Sequence, residues 1–334
     1  MNALAITAVG AMTAVGEDAP ATVGSIYTEA EAFRRLPVAG AQPLAGAVTP
    51  IPAEVKGIDR LVALGTYAAR EATQAVAPGT EIGLVVCASP DSLDDEDDAQ
   101  ESLLSRIGAD AGLSVDTRTR RVFLGSSTTT CEALAFARKA LYSRDLSAVC
   151  VLGVDTLSTQ PRLGKLVRER SSQGERFVPG EAAAAILLRR QNGEQHGSES
   201  LALLAGVGMS APDANLKLSK PAKGSLTAIE QAVSSAETRA PVAALIHDLP
   251  PTQAGDEELA WLQGSAFSAT PGLFVLAPAT STGETGAASP ILLIATLAFM
   301  MEKKEIGGPG LCLFASMDAP RGAALLVPPK PATK

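Results

Sequence analysis

Aromatic side chains make up only 4% of this 334-residue chain, and it holds just two histidines and four cysteines. The cysteines, Cys87, Cys131, Cys150 and Cys312, sit singly inside apolar stretches without CxxC spacing. That pattern argues against a disulfide framework and against a zinc site. No basic run is present: Lys and Arg total 28 against 36 acidic residues, a formal net charge of −8. The electrostatic footprint of a nucleic-acid or anionic-membrane partner is therefore missing. No apolar run reaches the roughly 20 residues needed to cross a bilayer. The longest, PILLIATLAFMM at 290–301, ends in Glu302, Lys303 and Lys304 and reads as a buried helix. The opening MNALAITAVGAMTAVG lacks a basic start and is interrupted by glycine, so it reads as a strand rather than a secretory signal. The expected location is the cytoplasm.

What the chain has is 46% hydrophobic residues in short Ala/Val/Leu/Ile runs bounded by Gly, Pro and Asp. These alternate with helix-length segments, a pattern that builds an α/β fold around a largely buried sheet. Strands are predicted over 4–11, 82–88, 121–124, 148–154 and 182–189, with helices over 59–75, 97–107 and 130–141. The order returns in strands over 201–207, 242–247, 273–276, 310–315 and 323–327, with helices over 226–236, 256–267 and 287–301. The two ends match best: AVCVLGVD then AAAAILLRR mirrors LCLFASMD then GAALLVPP. This is an internal duplication on the scale of half the chain. The polar, Gly-containing stretch RQNGEQHGSES at 190–200 is the natural boundary between halves at 1–190 and 201–329. His196 within it reads as exposed. The acidic run at 91–101 reads as a solvated helix start, where the dipole favours acids; metal binding is the sharper alternative, and no metal is expected.

Four segments carry a resemblance. ITAVGAMTAVGED looks like the opening strand VTGxGxxTPxGxD of the β-ketoacyl synthases, GSSTTTCEALAFARKALYSRDLSAVCVLGVD like their nucleophile turn, helix and GGVD strand. RFVPGEAAAAILL is similar to their GFVxGEGAAxLVL, with Gly180 and Glu181 in register, and GETGAASPILLIATLAFMM is similar to their GHTxGAAG turn and buried helix. The resemblance to this family of the thiolase superfamily covers nearly the whole chain. It implies a thiolase-like fold: two pseudosymmetric βαβαβαββ halves in a layered α-β-α-β-α domain. It also implies dimers that pair through the strand before the nucleophile turn, here RVFL at 121–124.

Condensation in that family uses a thiolate at a helix N-terminus, an oxyanion site of backbone amides, and two imidazoles or one His and one Asn. By the resemblance, Ser127 stands at the nucleophile position and Cys131 lies one turn on, reading as packed core. His247, in AALIHDLPPTQAGDEE, falls at the first active-site turn with one extra residue before Gly255 and Asp256, and it reads equally as a strand-end His bonded locally. Glu284 falls where the family has His or Asn, Ala279 where it has Lys, and SMDAPRG at 316–322 replaces a Gly-rich loop. A serine has no useful anion at neutral pH without a base, and a carboxylate at 284 repels the charge that condensation develops.

The expectation is a catalytically inactive ketosynthase-like protein that works by binding, with no cofactor. It forms a homo- or heterodimer, either as the non-catalytic subunit beside a ketosynthase or as an adaptor or chaperone for another protein. An acyl carrier protein or a secreted client are the other partners the reading allows. The rival is a residual acyltransferase or thioesterase using Ser127 as nucleophile with His247 as base, in its sharpest form a Ser127–His247–Glu284 hydrolase.

Overall fold

A computed structural model describes residues 3–93, 98–143, 146–170, 177–191, 200–210, 222–236, 238, 240–315 and 320–329. The first half runs β1 (Leu4–Met12), α1 (Ala19–Tyr27), β2 (Phe33–Leu36), β3 (Leu44–Ala47), α2 (Gly57–Thr73), β4 (Glu81–Ala88), α3 (Ala99–Asp110), β5 (Ser114–Leu124), α4 (Thr129–Ser143), β6 (Val149–Thr156), α5 (Gln160–Arg170) and β7 (Glu181–Arg190). The second runs β8 (Ala202–Met209), α6 (Ala222–Ser234), β9 (Ala244–His247), α7 (Gln253–Gly264), β10 (Phe274–Leu276), α8 (Ala279–Thr282), α9 (Ser289–Glu302), β11 (Gly310–Ala315) and β12 (Arg321–Val327).

The strands lie in the order β10-β9-β11-β12-β8-β1-β7-β6-β4-β5. Read outward from the β1/β8 seam, each half repeats the same plan. The β1/β7/β6 and β8/β12/β11 neighbours pair antiparallel, whereas β6/β4/β5 and β11/β9/β10 pair parallel. The duplication seen in the sequence is thus a duplication of topology, and the fold is the expected α/β class.

Strand alternation sorts the side chains into layers. In β6, Val149 and Val151 join a central core with α4 and α9, while Cys150 and Leu152 face an outer core with α2 and α3. In β11, Cys312 and Phe314 face the same central core, and Leu311 and Leu313 face α6 and α7. Strands buried on both faces read as unbroken apolar runs, which is why these were easy to find. The helix α9 is buried almost all round, as its uniform hydrophobicity requires. Close contact of the outer helices depends on glycine: a Cβ at Gly10 would lie 2.2 Å from the Ala68 carbonyl of α2, and one at Gly208 would lie 2.1 Å from that of Ala228 in α6.

The structure adds what the pattern missed. The strand expected over 121–124 extends back to Ser114, because its half-exposed Asp-Thr-Arg-Thr-Arg stretch is an edge with no apolar alternation. The helices α1 and α5 and the β2/β3 hairpin are short elements, of 9, 11, 4 and 4 residues, that the run-and-turn pattern did not mark. Of the segments weighed above, residues 94–97 of the acidic run, His196 with its neighbours 192–199, and 316–319 lie outside the described residues.

Each half buries one ion pair at the start of its antiparallel hairpin. Glu181, wholly buried at the head of β7, takes Arg60 of α2 in a two-pronged pair at 2.8 Å and 2.5 Å. It also accepts from the Thr49 amide at 2.8 Å and hydroxyl at 2.6 Å, and from Thr156 and Ser158, both at 2.9 Å. Burial works to raise its pKa, but Arg60, Thr49 and Thr156 outweigh it and hold the carboxyl below the usual range. In the second half the signs are exchanged: Arg321 heads β12 and pairs with Glu258 of α7 at 2.9 Å. Removing one partner of such a pair strands a buried charge and costs about 3–5 kcal/mol. We expect Arg60→Ala to lose about that much stability by urea unfolding. Arg106→Ala, which breaks a solvent-exposed pair with Asp59, should stay within about 1 kcal/mol of wild type.

Candidate functional site

The nucleophile turn lies between β5 and α4. It is tied down by the Gly125 amide, which donates to the Ala88 carbonyl at 3.1 Å, and by Thr129 and Thr130 amides that donate to the Ser126 and Ser127 carbonyls. Ser127 is buried just ahead of α4. A second turn precedes α9, whose first residue is the buried Ser289. Asp155, at the end of β6, fixes this turn: its Oδ2 accepts from the Ala287 amide at 2.9 Å, and its Oδ1 takes Arg162 and Ser92. Gly286, with φ 55°, admits that contact, since a Cβ there would lie 2.1 Å from the carboxylate. Asp155 and Glu181, the acids of the GVD and GE segments, are therefore framework groups.

The end of β9 decides which side chain meets Ser127. Ala244 and Ile246 belong to the central core, and Leu245 to the outer core. Alternation sends His247 outward with Leu245 and turns Asp248 inward with Ile246. His247 is buried there, its Nδ1 accepting from the Leu249 amide at 3.2 Å, and burial pushes its pKa down to about 4. No hydrogen bond joins it to Ser127. His247 thus takes the local strand-end bond that was one of its two sequence readings, and the Ser127 hydroxyl acts on the charge of its neighbour Asp248.

Asp248 is buried, and its Oδ1 accepts from the Ala315 amide of β11. Burial pushes its pKa up to about 6, against the opposing pull of the Ala315 amide, the Ser289 hydroxyl, the Arg321 charge and the Ser127 hydroxyl. Its Oδ2 has no hydrogen-bond partner, although those two hydroxyls face the carboxyl and steady its charge. Both come from the starts of long helices, α4 and α9, where the dipoles favour an anion. Alternation along LIHD carried the signal for Asp248; the rarity of histidine drew attention to its neighbour.

Glu284 is half-buried, and its main chain is fixed. Its amide donates to the Val178 carbonyl at 2.7 Å, and its own carbonyl accepts from Gly180 at 2.8 Å. These bonds draw the FVPGE segment against the second turn. Cys131 is buried in α4 with Sγ 3.6 Å from the Gly208 carbonyl, and burial raises its thiol to about 12, far from a thiolate. Among the described residues no group of three His, Cys, Asp or Glu stands together to hold a metal ion, and no helix is long and apolar enough to cross a membrane.

No protein-family model matches the chain, and no curated protein matches it. Solved structures do. A chain of the complex between a type II polyketide synthase ketosynthase and its acyl-carrier protein matches with a TM-score of 0.78 at 13% identity, over 98% of this chain and 99% of that one. A ketosynthase from module 1 of the bacillaene synthase of Bacillus amyloliquefaciens matches at 0.76 and 16%, over 99% and 74%. The ishigamide ketosynthase/chain length factor matches at 0.70 and 19%, over 97% and 99%. The chain has the thiolase-like fold of the ketosynthases and chain length factors.

The two neighbours at the end of β9 have opposite pH signatures. Between their ordinary and shifted pKa values, the unfolded chain takes up a proton at His247 that the folded chain refuses, so this contribution to stability falls with acid. At Asp248 the folded chain holds a proton the unfolded chain has released, so that contribution rises with acid. We expect the stability of Asp248→Asn, relative to wild type, to increase by about 2 kcal/mol between pH 4.5 and 7.5 in urea titrations. A difference independent of pH would contradict the buried setting of this carboxyl.

Proposed function

We propose that this chain is a non-catalytic protein of ketosynthase fold that acts by binding another protein. It serves either as the inactive subunit beside a ketosynthase in fatty-acid or polyketide assembly, or as an adaptor or chaperone, in the cytoplasm. The observation that carries the reading is the buried Asp248 carboxyl at the end of β9, held by the Ala315 amide, with the Ser127 and Ser289 hydroxyls favouring its charged form. Condensation needs an activated nucleophile at the start of α4 and donors for an oxygen or carbon that gains negative charge. Here the helix starts already face an anion of the chain's own, and new negative charge beside it is repelled. Among the described residues no hydrogen bond joins an imidazole to Ser127, since the Nδ1 of His247 accepts from the Leu249 amide instead, and this weighs against the acyltransferase or hydrolase reading with Ser127 and His247. The two buried pairs and the Asp155 clamp keep the scaffold intact, so a surface for a partner survives independently of chemistry.

Known neighbours of this fold include ketosynthase–chain length factor pairs and a ketosynthase in complex with an acyl-carrier protein. The subunit form has these as its precedent, and the adaptor form needs only the fold's outer surface.

Intact-protein mass spectrometry after incubation with acyl-CoA and acyl-carrier-protein donors tests the proposal. Wild type and Ser127→Ala are both expected to stay unmodified with every donor. An acyl adduct on wild type that disappears in Ser127→Ala would make Ser127 a working nucleophile and overturn the non-catalytic reading.

A further inference from the structure

The first half carries a stretch that has no counterpart in the plan of the second. Between β1 and α2 come α1 and the β2/β3 hairpin, whereas β8 leads to α6 with no described element between them. The turn from β1 into α1 and one face of the hairpin enclose a cavity of about 640 Å³. Register and alternation fix that face. Phe33 pairs with Ala47, so the neighbours Ala32 and Arg34 share the opposite side with Val48, and all three line the cavity. Val15 of the turn and Ala21 of α1 line it from the other wall.

Both walls are held in place. Glu71 of α2 accepts from the Ala11 and Ala19 amides, each at 2.9 Å, and clamps the turn at its two ends. On the hairpin side the Thr49 amide and hydroxyl are taken by Glu181. A site preformed in this way loses little freedom when it is filled. Its charges are left open: Glu17 and Arg34, both exposed, line the cavity, and neither has an ion pair among the described residues. The start of α1 offers an anion nothing further. The Ala19 amide donates to Glu71, Pro20 has no N–H, the Ala21 amide donates to Asp18 Oδ1 at 2.7 Å, and the Thr22 amide donates to the Asp18 carbonyl at 2.9 Å. Arg34 is therefore the cation that meets a negative group here, and Glu17 with Asp18 the anions that meet a positive one.

We infer that this cavity binds a short peptide with both termini free, its ammonium at Glu17 and Asp18 and its carboxylate at Arg34. Opposite charges that line one cavity without closing on each other call for a ligand that carries both signs. A cavity of this size suits a ligand larger than a single amino acid, and short aliphatic side chains match Val15, Ala21, Ala32 and Val48. The inference goes beyond the reading of the chain as a non-catalytic binding protein, and its residues are separate from Ser127, α4 and β5.

Ligand-observed NMR titration of the full chain with tri-alanine, in uncapped, N-acetylated and C-amidated forms, tests this, with thermal melts to establish that each variant is folded. Wild type is expected to bind the uncapped peptide best, and each cap should weaken binding about fivefold, as one solvent-exposed ion pair does. Arg34→Glu should reverse the order at one end and bind the C-amidated peptide more tightly than the uncapped one. Glu17→Lys should bind the N-acetylated peptide at least as tightly as the uncapped one. No binding of any form, equal binding of all three, or variants that keep the wild-type order would each overturn the inference. No acyl donor enters this measurement. Its failure leaves the non-catalytic reading standing, and acylation of Ser127 would overturn that reading while leaving the peptide site in place.

Discussion

Two helices, α4 and α9, are held between the inner faces of two five-stranded halves, and the rest of the molecule follows from that enclosure. Strands that bury both faces can be almost wholly apolar, and β6, β7, β11 and β12 are. The polar groups that must enter such an interior have to bring their own compensation, because an unpaired buried charge costs several kcal/mol. Glu181 does so with an arginine and three hydroxyls, Asp155 with Arg162 and the turn before α9, and Glu258 with Arg321. The starts of α4 and α9 meet near the end of β9, and the group placed there inherits the attraction of both helices for an anion.

That arrangement explains which parts of the fold were legible in the sequence. The doubled order of strands and helices was readable because strands buried on two faces leave long apolar runs, and because the same run-and-turn pattern occurs twice. GVD and GE were readable because Asp155 and Glu181 anchor the frame, where one residue type at one place satisfies many partners. The edge portion of β5 was not, since Arg118, Arg120 and Arg121 answer to solvent, to Asp116 and Glu101, and to aromatic rings rather than to a core. The helix α5, with Leu163 its one fully buried leucine, was hidden for the same reason.

The site was less legible, and the cause is a single step along a strand. His247 and Asp248 are adjacent, and a one-residue shift reverses the face on which a side chain falls. Composition pointed to the histidine because the chain has only two. Geometry selects the aspartate, through the pairing of β9 with β11 and the inward turn that follows Ile246. The fold is shared with ketosynthases and chain length factors, but a shared fold leaves the chemistry of its site open.

The central claim is that the Asp248 carboxyl is sealed between the starts of α4 and α9 and closes the site. Carbon-13 NMR titration of that carboxyl in the intact protein tests it most directly. The account predicts a midpoint near pH 6, set by burial, and a further rise in Ser127→Ala, which removes a hydroxyl that steadies the charge. A midpoint near 4, unmoved by Ser127→Ala, would describe a carboxylate in water beside an open site and would contradict it.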